Sequence, residues 1–246
     1  MTSTSDFQRA RSEEQRAQRR QAILETAAAM LTEMPVAQVS LNELSRRVGL
    51  AKSNVLRYFE SREAVLLDLL DTATRSWLED LATRLPAAVD GTADPYARTD
   101  RLAATLAASL AERPVLCDLA GAQASVLERN VSEEVAIRYK RASLDGLQAL
   151  AALVGSALPE LDERDTVRLA SATLLVAGAM WVHAHPSDAV LAAYASDPAL
   201  AAMRLPFEEA VRLSVSVFGS GLLARRQDGG AGRNAQAAAG QGQPQP

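Results

Sequence analysis

Between Ser40 and Arg62 the chain reads SLNELSRRVGLAKSNVLRYFESR, and no other stretch narrows the choice of fold as far. Leu41, Leu44 and Val48 recur at three- and four-residue spacing, which gathers them on one face of a short helix. Ser40 precedes this run and Glu43 follows three residues later, the pattern of a capping box in which each residue satisfies a backbone N–H of the other. Gly49 is placed to end the helix in the left-handed conformation. Leu50 and Ala51 then lead into a second short helix with Val55 and Phe59 as its apolar pair. Lys52, Ser53, Asn54, Arg57 and Tyr58 occupy its other face, and these side-chain types read base edges and grip phosphates. Two helices joined by a short turn with a glycine describe a helix-turn-helix whose second helix does the reading. A helical hairpin that merely packs has the same spacing, so spacing alone leaves both open.

The residues themselves go further. GLAKSNVLRYFESREAVL resembles the G-V-S-K-G-T-L-Y-H-Y-F-x-S-K-E-A-L stretch of the tetracycline-repressor-type (TetR) regulators. The resemblance runs over residues 16–76 and includes the upstream helix QAILETAAAML. It implies a DNA-binding set of Ser40, Asn42, Lys52, Ser53, Asn54, Arg57, Tyr58 and Arg62. Asn54 and Arg57, three residues apart, are expected to read bases, since Asn pairs with adenine and Arg with guanine. Lys52, Tyr58 and Arg62 are expected nearer the rims, Arg62 standing where the family has a phosphate-contacting Lys. Ser40 is expected to hold a phosphate through its backbone N–H. The chain departs from the pattern at Ala51, where Ser or Thr is common, and at Leu56, where Tyr is common.

The 246 residues are 48% hydrophobic, with helical periodicity dominant, so the chain is expected to be all-α: a three-helix head joined by a long fourth helix to a helical ligand-binding and dimerisation body. No run of 18 apolar residues is free of charge, so no membrane span is expected, and the polar start MTSTSDFQRARSEEQ is unlike a secretory signal. Cys117 is the only cysteine, which excludes an intrachain disulfide and suits a reducing cytoplasm. Net charge is −4, but residues 1–66 hold ten basic and eight acidic side chains against sixteen and twenty-two in the remainder. A mildly basic head on an acidic body lets one end approach a polyanion.

In order along the chain, residues 1–15 are expected to be a disordered arm, 16–76 the DNA-binding head with its helix-turn-helix at 40–59, 77–226 the body, and 227–246 a disordered Gly/Gln/Pro-rich tail. The first helix is predicted over Glu14–Met34 and the fourth from Ser61 to Leu85, ended by Pro86. Body helices are predicted over Tyr96–Glu112, Val115–Glu128, Ser132–Leu158 with Asn130 and Glu133 as a capping box, and Asp165–Ala184. Short pieces follow over Ser187–Met203, and a last helix runs from Pro206 to Arg226.

The helices at 165–184 and 206–226 carry small residues (Ala170, Ala177, Gly178, Ser214, Gly221), which suits close helix approach either inside one chain or across a twofold axis. The resemblance points to a homodimer through these two helices, with Val211, Ser214, Phe218 and Leu222 as the stripe on the last one. Trp77, Cys117, Tyr139, Trp181 and His183 are candidate lining of an effector cavity, with core packing as the plainer reading. His183 and His185 point roughly 200° apart on a helix and lack a companion ligand, so no metal is expected. No nucleophile elbow, zincin motif or P-loop occurs, so no enzyme activity and no cofactor are expected. The function expected is a ligand-responsive regulator, a repressor that binds a palindromic operator in double-stranded DNA as a dimer and is released by a small molecule. The alternative is a helical small-molecule binder or enzyme that no longer binds DNA.

Overall fold

The computed structural model describes the backbone of residues 4–240 and the side chains of residues 13–226. Within them the chain forms eleven α-helices and no strand. These are α1 (Thr4–Glu33), α2 (Leu41–Val48), α3 (Lys52–Val55), α4 (Arg62–Ala88), α5 (Pro95–Ala111) and α6 (Pro114–Ala122). After them come α7 (Glu133–Ala157), α8 (Glu163–Ala184), α9 (Asp188–Ser196), α10 (Pro198–Ala201) and α11 (Phe207–Gly240). Single 3₁₀ turns lie at Val36–Gln38 and Leu127–Arg129.

Two ends differ from expectation. Backbone is helical from Thr4, where a disordered arm was expected, and α11 continues past Arg226 to Gly240, through most of the expected tail. Once a helix is nucleated by packed residues, each added residue costs only propagation, which the Arg- and Gln-rich start of α1 favours and the glycines at 229, 230 and 232 of α11 oppose. The rest of those two expectations, at residues 1–3 and 241–246, lies outside the described residues. Pro86 sits inside α4 rather than ending it, and the Val89 N–H still reaches the Leu85 carbonyl at 3.0 Å. So near the C-terminus a proline removes one hydrogen bond without breaking the helix.

The chain divides into two compact units. One takes in the chain up to Trp77 together with Arg113–Gly146, and the other takes in Leu78–Glu112 and the chain from Leu147 onward. The segment Arg113–Gly146, assigned to the body on sequence, therefore clusters with the head. Ile23, Ala27 and Met30 of α1, Leu44 of α2, Val55 and Phe59 around α3, and Val65, Leu66 and Leu67 of α4 are fully buried in the first unit.

In the second unit α11 packs on α5 and α8. Leu102 and Leu106 of α5, Leu169, Ala170 and Thr173 of α8, and Val211 and Val215 of α11 are buried at the 0–2% level. Gly219 of α11 is what lets the helices close: a Cβ there would stand 2.7 Å from Thr99 Cγ2 and 3.5 Å from Leu169 Cδ2. The α5 N-terminus is fixed by Asp94, whose carboxylate accepts from the Tyr96 and Ala97 N–H groups, with Pro95 in the first turn. Arg98, 4% exposed, donates to the carbonyls of Ala93 (3.0 Å) and Ala157 (2.9 Å) and pairs with Glu160.

By length and composition α8 is apolar enough to cross a membrane, yet Leu169, Ala170, Thr173, Ala177 and Gly178 bury one of its faces, as in a core helix. Its small residues Ala170, Ala177 and Gly178 thus serve packing inside the chain.

Candidate nucleic-acid interface

α2 begins where Ser40, in extended conformation, accepts the Glu43 N–H on its hydroxyl at 3.2 Å. The expected reciprocal half of the capping box is replaced. The Glu43 carboxylate instead takes Arg46 (2.6 and 2.9 Å) and Arg47 (2.8 Å), and these bonds, Arg46 first, hold its pKa down to about 2. Charged donors one turn away outcompete a backbone N–H for a carboxylate. Gly49 ends α2 at φ 71°, ψ 29°, the left-handed conformation a glycine adopts without strain. The Leu50 N–H closes back on the Ser45 carbonyl at 3.0 Å, as in a Schellman cap.

α3 is short, but helical bonding continues through the turn, with Tyr58 N–H and Phe59 N–H both reaching the Val55 carbonyl at 2.9 and 3.1 Å. Val55 (0%) and Phe59 (2%) anchor it in the core, and that burial turns Lys52, Ser53, Asn54 and Arg57 outward, all exposed. Ser40 and Asn42 are exposed as well, while Tyr58 is half-buried. Arg62 is placed differently. Its guanidinium is 20% exposed and donates to the Val39 carbonyl at 2.8 Å and to Glu63 at 3.0 Å. The side chain expected to grip a phosphate thus also ties the start of α4 to the residue before the Ser40 cap.

The head is closed by contacts that sequence spacing did not reveal. Arg20 of α1 stands 4.0 Å over the Phe59 ring, donates to the Tyr58 carbonyl at 2.9 Å and pairs with Asp68 of α4. Asp68 also takes Arg138 of α7 at 3.4 Å. Glu60 accepts the Ser132 N–H at 2.6 Å, and that backbone donor is the main reason its pKa is lowered. Ser132, not the expected Asn130, caps α7, its hydroxyl accepting from Val135 N–H at 3.3 Å. The pairs Glu60–Ser132 and Asp68–Arg138 lie in order along both chains, so α7 starts level with α4 and runs alongside it in the same direction. The Val36 N–H reaches the Asp118 carboxylate of α6 at 2.8 Å.

Trp77 (0%), Cys117 (1%) and Tyr139 (7%) are buried in the first unit, and Trp181 and His183 belong to the second. Burial pushes the Cys117 thiol and the Tyr139 hydroxyl each up to about 12. His183 is exposed. It is His185 that lies against Trp181, with ring centroids 3.9 Å apart and Nδ1 2.9 Å from the Trp181 carbonyl, while Phe207 meets the same indole edge-on at 5.2 Å. Surface clefts in the first unit are lined by other residues, among them Glu133, Ile137 and Arg141 of α7, and Ala22, Thr26 and Arg47 beside α1 and α2. Among the described residues no three His, Cys, Asp or Glu side chains gather at metal-binding distance.

The stripe expected on α11 is divided. Val211 and Leu222 face the core, whereas Phe218 (41%) is exposed together with Leu213 (56%) and Val217 (64%). On α8, Leu175 (75%) and Val182 (55%) are exposed, with Ala179 between them.

Comparison with known proteins settles the family. The model of bacterial regulatory proteins of the tetR family matches residues 23–69, and that of the tetracyclin repressor-like C-terminal domain matches residues 71–226. The chain belongs to the TetR family. This TetR-family chain is a transcriptional regulator with a helix-turn-helix DNA-binding head. The HTH-type transcriptional regulator EthR of Mycobacterium tuberculosis is 44% identical over 50 residues, a match spanning 20% of this chain and 23% of that protein. In fold the chain is similar to the transcriptional regulator FadR from Bacillus subtilis, solved with stearoyl-CoA, at TM-score 0.52 and 14% identity over 82% of this chain and 98% of that one. It is equally similar to the fatty acid degradation regulator FadR from Bacillus halodurans, at TM-score 0.51 and 16% identity over the same shares.

Proposed function

We propose that this TetR-family regulator is a homodimeric repressor that binds a palindromic operator and is released by a small-molecule effector. The observation that carries the reading is the division of α3: Val55 and Phe59 are sunk in the core while Lys52, Ser53, Asn54 and Arg57 stand free of it. A helix held this way can enter a major groove with Asn54 and Arg57 toward base edges and Lys52 toward phosphates. Ser40, Asn42 and Tyr58 join as backbone contacts, and Arg62 acts by holding the Val39 carbonyl, not by touching DNA.

The outward residues Leu175, Ala179 and Val182 of α8 and Leu213, Val217 and Phe218 of α11 support the dimer, since they leave apolar side chains uncovered on two helices that pack together. Two copies joined there would present paired recognition helices to half-sites one or more helical turns apart. Effector release needs a coupling of about 1–3 kcal/mol, roughly 5–150-fold in operator affinity. α4, unbroken from Arg62 to Ala88, is the element common to head and body through which it would act.

The test is binding to the DNA upstream of the protein's own gene against a scrambled duplex. The reading expects preference for the upstream duplex, and Arg57→Ala should weaken it by about 1–3 kcal/mol while relaxing preference at one base pair per half-site. Absence of binding to either duplex at low salt would overturn it in favour of a helical ligand-binding protein.

A further inference from the structure

α1 is longer than its packing requires. The helix starts at Thr4, yet residues 13–19 are exposed without interruption, and its buried residues start at Ile23. Arg20, half-buried, is the root. It holds the Tyr58 carbonyl at 2.9 Å, the Phe59 ring at 4.0 Å and the Asp68 carboxylate. Beyond the other end of α1, Val36 is held by Asp118 of α6. The helix is therefore pinned beside the end of the recognition turn, and what precedes Arg20 leads away from that point on the side opposite α6. A polar helix with no tertiary partner is marginal in water, so this extension is poised to take one.

Its charge says which. Residues 4–19 hold Arg9, Arg11, Arg16 and Arg19 against Asp6, Glu13 and Glu14. Arg16 and Arg19 are exposed and lie four residues and one residue before Arg20, roughly 6 Å or less along the axis. Arg57, which faces solvent on α3, is the residue immediately before the Tyr58 that Arg20 clasps. The root thus joins the extension to the same exposed cationic surface that α3 presents.

We infer that the N-terminal extension of α1 is a second DNA-contacting segment, in which Arg16 and Arg19 grip backbone phosphates flanking the half-site read by α3. This rests on the DNA-binding reading above. Phosphate contacts carry no sequence information, so the segment adds affinity for any duplex and steepens its salt dependence.

The full-length protein and its Arg16→Ala/Arg19→Ala variant are compared on the upstream duplex and on the scrambled duplex at several salt concentrations. The variant should lose affinity by the same factor on both, with a log–log salt slope shallower by about two, one per lost phosphate contact. Arg16→Lys/Arg19→Lys should restore the slope, because a phosphate accepts either cation. Both variants should melt with the wild type, since neither side chain is buried. Unchanged affinity and slope in the Ala variant, or a loss confined to the upstream duplex, would overturn the inference. If the wild type itself binds neither duplex at low salt, the DNA-binding reading has failed beneath it, a result distinct from both.

Discussion

A glycine in each compact unit shows how differently the two are built. Gly49 sits in open space, with nothing within 4 Å of where a Cβ would be, and is there for its φ of 71°. Gly219 has ordinary helical geometry and is there because α11 lies so close to α5 that Thr99 occupies the place of a side chain. The first unit follows the logic of Gly49. Its reading helices α2 and α3 are short, and its elements are fixed by polar links: Arg20 to Asp68, Arg62 to Val39, Glu60 to Ser132, Asp118 to Val36. The second follows Gly219, with α5, α8 and α11 held by close apolar contact, beside polar links such as Arg98 to Ala157 and Arg226 to Asp162. A head that must present polar side chains to a charged partner cannot spend those faces on apolar packing. It is closed by charge and by main-chain acceptors instead.

Leu169→Ala removes a fully buried side chain next to Gly219 and should cost about 2–5 kcal/mol, read from urea unfolding. A loss under 1 kcal/mol would mean that the core there collapses freely and that close contact is not what holds α11. The paired glycines come next. Gly219→Ala should cost about 1–3 kcal/mol by overpacking against Thr99, and Gly49→Ala about 1–2 kcal/mol from the left-handed backbone alone. Gly49→Asn should recover part of the second loss, because Asn tolerates that conformation, while Gly219→Asn should be worse than Ala. Equal behaviour of the two Asn variants in thermal melts would erase the distinction.

Smaller effects are expected where charge is the glue. Asp68→Ala removes the partner of both Arg20 and Arg138, yet these groups are 22–50% exposed, so the loss should be about 1 kcal/mol or less and shrink in high salt. A loss that salt does not touch would point to packing instead. The smallest effect concerns Glu43. Its folded pKa of about 2 lies below the ordinary 4.5, so what it adds to stability is fully present above about pH 4.5 and disappears as pH falls through about 2. Because the carboxylate is on the surface, the contribution is slight and the titration itself is the better measure. An NMR titration should place the Glu43 midpoint near 2 in the wild type and near 4.5 in Arg46→Ala/Arg47→Ala.

Much of the head could be read from the chain because its signals are local. The Ser40 cap, the Gly49 stop and the burial of Val55 and Phe59 each follow from residues within one or two turns of one another. The exposed faces of α3 followed in turn. The bond from Arg62 to the Val39 carbonyl was not legible, because no side-chain type at position 39 announces an available carbonyl. The effector candidates were no easier to read, for a related reason. Aromatic residues in the middles of helices have the same pattern whether they line a cavity or fill a core, and Trp77 and Tyr139 are buried while Trp181 belongs to the other unit.

The amino-acid sequence by itself determined that the chain is helical, where most helices start and stop, and which short turn carries the reading face. Those features depend on backbone hydrogen bonds closed over three or four residues and on side chains recurring with the helical period, both written within a single segment. Tertiary structure alone decided that α6 and the first half of α7 cluster with the head, and that α7 lies level with α4. It also decided that Val211 and Leu222 turn inward while Val217 and Phe218 stay outside. Each depends on which distant surface meets which. An apolar stripe records that a helix face must be covered, but not by what, and a carboxylate records that it needs a donor, but not from where.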